Sequence, residues 1–233
     1  MYLRGKTALI TGGGSGIGLA IAESLASEGV QTILASRRLE VLESAARMIS
    51  KKYGTPSHAL PLDLRDTRSI RSATDSVLQK FGKVEILINN SGLGVDASAV
   101  EMTEDQWDLV MDTNVKGTFL LTQALLPKMI EARLGHIINI SSQAGRNGYA
   151  RATVYCASKF ALIGFGKALQ EEVREFNIKV SNLLPALVQV PPPKNDSEVR
   201  QGVLQTEDLA QAALYLLRQP DRVKLDDLGL WHI

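Results

Sequence analysis

The chain has 233 residues, 45% hydrophobic and 22% charged, with 26 Lys and Arg against 25 Asp and Glu, which excludes disorder, low complexity and a global field directed at nucleic acid or an anionic membrane. A single cysteine, Cys156, excludes an internal disulfide or a thiolate cluster, and His58, His136 and His232 are too scattered to hold a metal. The opening apolar run is too short for a signal peptide and no stretch reaches the ~18 apolar residues of a membrane helix, so a cytoplasmic protein is expected.

Short apolar, β-branched runs at 6–11 (KTALIT), 31–36 (QTILAS), 56–62 (PSHALPL), 84–89 (VEILIN), 136–141 (HIINIS) and 178–184 (IKVSNLL) predict strands. They are continuous rather than alternating, which marks strands buried on both faces of a parallel sheet. Amphipathic stretches lie between them, and the first three run up to Gly29, Gly54 and Gly82, a common helix stop. TEDLAQAALYLL (206–217) is a late helix and RVKLDDLGLWHI (222–233) holds a last strand. Regular alternation over residues 1–233, with no linker, predicts one Rossmann-type α/β domain. Its parallel sheet would be doubly wound, with helices on both faces. The segment VQVPPPKNDSEVRQG, with three consecutive prolines, predicts an exposed loop, and the region 186–204 would border the ligand crevice.

The first strand runs directly into Thr11-Gly12-Gly13-Gly14-Ser15-Gly16-Ile17-Gly18 and then a helix. Glycine is required where a tight turn takes positive φ, where backbone approaches a pyrophosphate, and where helix packs closely on strand. The helix amino terminus then offers N–H donors and a positive dipole end to the anion. No G-x-G-x-x-G triplet can be laid here, and Leu19 rather than Lys follows Gly18, which excludes a P-loop. The second strand ends Ala35-Ser36-Arg37-Arg38, without the carboxylate that accepts from an NAD ribose. Two guanidinium forks suit a 2′-phosphate, so NADP(H) is expected over NAD(H), which remains usable.

Tyr155 and Lys159 stand four apart in a helical stretch and share one face. A neighbouring ammonium is expected to lower the tyrosine pKa from its ordinary ~10 into working range for proton transfer. Ser142, at the end of the fifth strand, can hydrogen-bond a carbonyl oxygen beside the phenol.

In that order these residues resemble the short-chain dehydrogenase/reductase family across nearly the whole chain. Thr11-Gly12-x-x-x-Gly16-x-Gly18 is similar to its cofactor turn, in which Ser15 and Ile17 also lie. Asp63-Leu64 resembles the family's adenine-holding pair after strand three, and Asn89-Asn90-Ser91-Gly92 its Asn-Asn-Ala-Gly signature. Asn114 matches the asparagine that the family uses, through a water, to link its lysine to a proton relay. Ser142, Tyr155 and Lys159 match its catalytic positions. The resemblance implies about seven parallel strands and NAD(P)(H)-dependent interconversion of a small-molecule carbonyl and alcohol. In it Tyr155 is acid and base, Lys159 lowers the tyrosine pKa and binds the nicotinamide ribose, and Ser142 polarises the carbonyl. It also implies a homodimer or homotetramer built on helices at about 104–131 and 153–175.

The family's Pro-Gly-x-Val-x-Thr reads here Pro185-Ala186-Leu187-Val188-Gln189-Val190. Alanine is mild there unless φ is positive, and valine removes one hydroxyl hydrogen bond; the backbone at Val188 can still hold a carboxamide. These departures keep two alternatives open, a non-catalytic NADP(H)-binding sensor or scaffold and a lyase or epimerase without net redox. The short segment after Val190 suggests an open pocket, with Tyr149 and Trp231 as lining candidates.

Overall fold

The computed structural model describes residues 2–191 and 198–233. Residues 192–197, part of the expected substrate loop, lie outside the described residues. The strands are β1 (Thr7–Thr11), β2 (Gln31–Ser36), β3 (Ser57–Pro61), β4 (Ile86–Asn89), β5 (Gly135–Ile140), β6 (Ile178–Pro185) and β7 (Asp227–Leu230). They pair in parallel in the order β3-β2-β1-β4-β5-β6-β7. The helices are α1 (Gly16–Ser27), α2 (Leu39–Tyr53), α3 (Thr67–Phe81), α4 (Glu104–Met111), α5 (Gly117–Ala132), α6 (Thr153–Val173) and α7 (Thr206–Arg218).

The continuous apolar strands resolve into two faces with period two. Ala8 and Ile10 pack with Leu34 and Ile88 under α1, α2 and α7, while Leu9 packs with Ile33 and Leu87 under α3, α5 and α6. Leu9, Ile10 and Leu87 have no exposed surface. Each such side chain contributes roughly 1.5–3 kcal/mol of burial. α2 and α3 stop at Gly54 and Gly82, with φ of 66° and 76°. The Asp66 carboxylate caps α3 by accepting from the Arg68 N–H at 2.9 Å.

The strand order reverses between β1 and β4, where the chain leaves toward β3 on one side and toward β7 on the other. In an open α/β sheet that switch point opens a crevice at the carboxyl ends of the two strands. One sequence expectation needs correction. The helix expected over 104–131 is interrupted by a π-helical segment, Asp112–Lys116, whose flanking residues keep helical backbone. No helix among the described residues is long and apolar enough to cross a membrane.

Candidate active site

β1 delivers the glycine turn to the switch point. Ser15 is extended (φ −162°, ψ 166°) and its side chain does not cap α1. The first N–H groups of α1, those of Gly16, Ile17 and Gly18, therefore have no intrahelical acceptor. Gly16 and Ile17 line a crevice of about 390 Å³. Gly16 has φ of +54°, and a Cβ on Gly18 would come within 2.6 Å of the Asn90 Nδ2. Asn90 in turn ties the ends of β4 and β1 together: its side chain donates to the Thr11 carbonyl at 2.8 Å, and the Asn90 and Ser91 N–H groups both donate to the Thr11 hydroxyl at 2.9 Å.

Along the same crevice lie Ser36, Arg37 and Arg38 from the end of β2, and Asp63, Leu64 and Arg65 from the end of β3. Arg37 and Arg38 are exposed. Arg65 grips the Asp63 carboxylate with its Nε at 3.2 Å and Nη2 at 2.8 Å. That side-chain bond holds the carboxyl below its ordinary pKa, with a smaller contribution from Arg37. Sequence reasoning missed Arg65, and it read Thr11 as part of the cofactor turn without its ties to Asn90 and Ser91. Beside Asp63, Arg65 reads as an ordinary local ion pair.

A second cavity of about 770 Å³ adjoins the first, sharing Ile17, Asn90, Gly92, Leu93 and Val190 with it. Ser142, Tyr155 and Lys159 converge there, with Pro185 and Val188 in the same lining. Ser142 follows β5 and precedes a 3₁₀ turn, Gln143–Gly145, where its hydroxyl accepts from the Ala144 N–H at 3.1 Å. Lys159 is buried, donates its Nζ proton to the Ile140 carbonyl at 2.8 Å, and sits 5.6 Å from the Tyr155 ring centroid. Its burial brings its pKa down to about 8. Burial pushes the Tyr155 phenol above its ordinary value, and a hydrogen bond with Ser142 opposes this only in part. Burial outweighs the lowering expected from a neighbouring ammonium. The phenol is the form present at neutral pH.

Asn114 comes from the π segment and is fully buried. Its side chain accepts from the Leu93 N–H at 2.9 Å and donates to the Leu93 carbonyl at 2.8 Å and to the Ser158 hydroxyl at 3.0 Å. Ser158 donates onward to the Tyr155 carbonyl at 2.8 Å. A Cβ on Gly92 would lie 3.3 Å from Lys159 Nζ and 3.4 Å from Asn114 Oδ1, so this glycine sits between the two. The structure thus brings Asn114, Ser142, Tyr155 and Lys159 to one place and strings the glycine turn, Arg37, Arg38, Asp63 and Leu64 along the adjoining crevice.

A family model described as short chain dehydrogenase matches residues 6–201. The chain belongs to the short-chain dehydrogenase family. It is an oxidoreductase of that family, and its relatives match end to end. An uncharacterised oxidoreductase of Staphylococcus saprophyticus is 31% identical over 97% of both chains. The 3-oxoacyl-(acyl-carrier-protein) reductase of Thermotoga maritima is 36% identical over 93% of this chain and 92% of its own. A metagenomic short-chain oxidoreductase solved in complex with NADP has a TM-score of 0.86 at 32% identity, covering 99% of this chain and 98% of that one. An alcohol dehydrogenase of Thermococcus sibiricus complexed with 5-hydroxy-NADP has a TM-score of 0.90 at 26% identity, covering 98% and 97%.

The departures from the short-chain dehydrogenase pattern are accommodated locally. Ala186 is not among the non-glycine residues with positive φ, and its N–H donates to the Leu230 carbonyl at 2.9 Å, so its Cβ brings no backbone strain. Val188 is bridged to Leu204: the Gln189 N–H donates to the Leu204 carbonyl at 2.8 Å, and the Leu204 N–H donates to the Leu187 carbonyl at 2.9 Å. Val190 faces both cavities and would lie 3.1 Å from a Cβ on Gly16.

Proposed function

We propose that this oxidoreductase interconverts a small-molecule carbonyl compound and its alcohol with NADP(H), and uses NADPH in preference to NADH. The observation that carries the reading is the meeting of Ser142, Tyr155 and Lys159 in a cavity continuous with the glycine-turn crevice. The crevice fits a dinucleotide. Uncapped N–H groups at Gly16–Gly18 suit the pyrophosphate, the Asp63–Leu64 end suits the adenine, and the Pro185 and Val188 lining suits the carboxamide. Arg37 and Arg38, beside a strand end that lacks a carboxylate, suit a 2′-phosphate. Two structural relatives were solved with NADP or a derivative of it, which supports a nicotinamide dinucleotide in this crevice.

A nicotinamide dinucleotide bound there supplies or removes the hydride. The chain's own groups handle the proton. Tyr155 gives its phenolic proton to the carbonyl oxygen in reduction and takes it back in oxidation. The Ser142 hydroxyl donates to the same oxygen and fixes its position. Lys159 stabilises the phenolate left behind, and Asn114 holds Leu93 and, through Ser158, the first turn of α6. A phenol held protonated by burial is poised for the reductive direction at neutral pH. The single domain, a cytoplasmic location and a homodimer or homotetramer belong to the same reading.

The test is cofactor oxidation with NADPH and NADH against a panel of ketones, aldehydes and diketones. We expect turnover with NADPH, lost in Tyr155→Phe while NADPH affinity stays within about twofold. Turnover that survives in Tyr155→Phe removes the phenol as proton donor.

A further inference from the structure

Beyond Tyr155 and Ser142 the inner cavity is walled by Leu93, Ala144, Tyr149, Ala152, Leu187 and Trp231. Three of these are large and half-exposed: Tyr149 at 48%, Leu187 at 56% and Trp231 at 58%. Gly94 leaves space over the Tyr155 ring, since a Cβ there would come to 3.1 Å of the ring edge. The charges nearby are committed elsewhere. Lys159 bonds the Ile140 carbonyl. Arg146 and Arg151 flank the segment that carries Tyr149, yet each is held by a carboxylate, Asp227 and Asp96 respectively, at 2.8 Å. Neither arginine lines the cavity; besides Lys159, His232 is the basic side chain that does among the described residues.

We propose that this half of the cavity takes a neutral carbonyl compound bearing an aromatic or branched apolar group, and discriminates against keto acids. The proposal rests on the hydride-transfer reading above for its chemistry, but its physical basis is independent of it. A carboxylate entering this half sheds water, and its six walling residues offer it no cation; Lys159 lines the cavity beside Tyr155, where its ammonium already bonds the Ile140 carbonyl. A phenyl group instead displaces water from Tyr149, Leu187 and Trp231 and gains aromatic contact there.

Propiophenone and benzoylformate separate these outcomes, because they share a phenyl ketone and differ by an ethyl group against a carboxylate. Isothermal titration of the NADP⁺-saturated protein should show propiophenone binding at least about tenfold more tightly. Equal or tighter binding of benzoylformate overturns the proposal. Tyr149→Ala and Trp231→Ala should raise KM for propiophenone at least about fivefold, and by more than they raise it for 2-butanone. Equal effects on both ketones also overturn it. Tighter binding of the neutral ligand with no NADPH oxidation supports the pocket assignment and overturns the hydride-transfer reading. Turnover of both ketones with equal kcat/KM overturns the pocket assignment alone.

Discussion

At the scale of single residues, the site stores an unfavourable burial in Lys159. Its ammonium has exchanged water for the Ile140 carbonyl, and burial brings its pKa from 10.5 to about 8. Below pH 8 the group is charged in folded and unfolded chains alike, and the folded state bears the whole cost. Between pH 8 and 10.5 the unfolded chain binds a proton that the folded chain has released, so this group's contribution to stability rises with pH. Lys159→Met should therefore abolish turnover yet stabilise the fold at pH 7 by about 1–3 kcal/mol, a gain that shrinks above pH 8. Thermal melts across pH 6–10 check this; a variant less stable than the parent at pH 7 would mean that the Ile140 bond outweighs desolvation. Arg37 is the opposite case, exposed and cheap to remove. Arg37→Ala should leave stability within about 0.5 kcal/mol while weakening NADPH about tenfold more than NADH. Equal losses for the two cofactors, by fluorescence titration, would end its role at the 2′-phosphate. The glycine turn and the Tyr155–Lys159 pair were legible in the sequence because their chemistry is local. Arg65 was not, because only the side-by-side ends of β1, β2 and β3 bring it to the crevice.

At the scale of elements, the site depends on devices without a sequence period. The π segment at Asp112–Lys116 changes the phase of a helix that reads as unbroken, and that change turns Asn114 inward to Leu93 and Ser158. A second device crosses the sheet. Asn89, Asn139, Asn182 and Asp227 occupy paired positions on β4, β5, β6 and β7. Each amide donates to the next residue, at 2.9, 3.1 and 2.9 Å. Helix α6 lies against this row at Gly166, where a Cβ would collide with the Asn182 amide. At the end of the row Asp227 also takes Arg146, just after the turn that follows Ser142, at 2.8 Å, and Lys167 of α6 at 3.0 Å. Burial alone would raise the Asp227 carboxyl, but the bonds from Asn182, Arg146 and Lys167 more than reverse this and hold it below its ordinary value. Its stabilisation is thus present above the ordinary carboxyl pKa and fades as pH falls through the lowered one. Asp227→Asn keeps an acceptor for Asn182 and loses both ion pairs. We expect a loss of about 1–3 kcal/mol at neutral pH and a several-fold fall in kcat with NADPH affinity unchanged. An unaltered kcat would show that the clamp does not reach Ser142 or α6.

At the scale of the whole molecule, continuous apolar strands separated by helices announced a parallel sheet covered on both faces, and the structure has one. Strand order was less legible, since apolar runs report burial and not neighbours. The switch between β1 and β4 is what gathers a turn after β1, a serine after β5 and a tyrosine on α6 into one place. The same architecture leaves three large aromatic side chains exposed on neighbouring helices. Trp107 on α4, Phe119 on α5 and Phe160 on α6 are 41%, 43% and 49% exposed. Phe119 already packs edge-on against Phe165 of α6, with ring centroids 6.2 Å apart, so aromatic surface from both helices is shared there. A second copy of the chain related by a two-fold axis would bury these rings against their own counterparts, the commonest closed arrangement among soluble oligomers. A stable interface of that kind covers roughly 1,200–2,000 Å² in total and depends most on its central aromatic groups. Two charges at its centre should be enough to open it. The double substitution Phe119→Glu and Phe160→Glu is therefore expected to convert the protein to monomer in light scattering at about 10 µM, and to lower its unfolding midpoint in proportion to the association it removes. A wild-type protein that scatters as a monomer at that concentration would rule out the oligomer itself, and a double variant that stays associated would move the interface to another face.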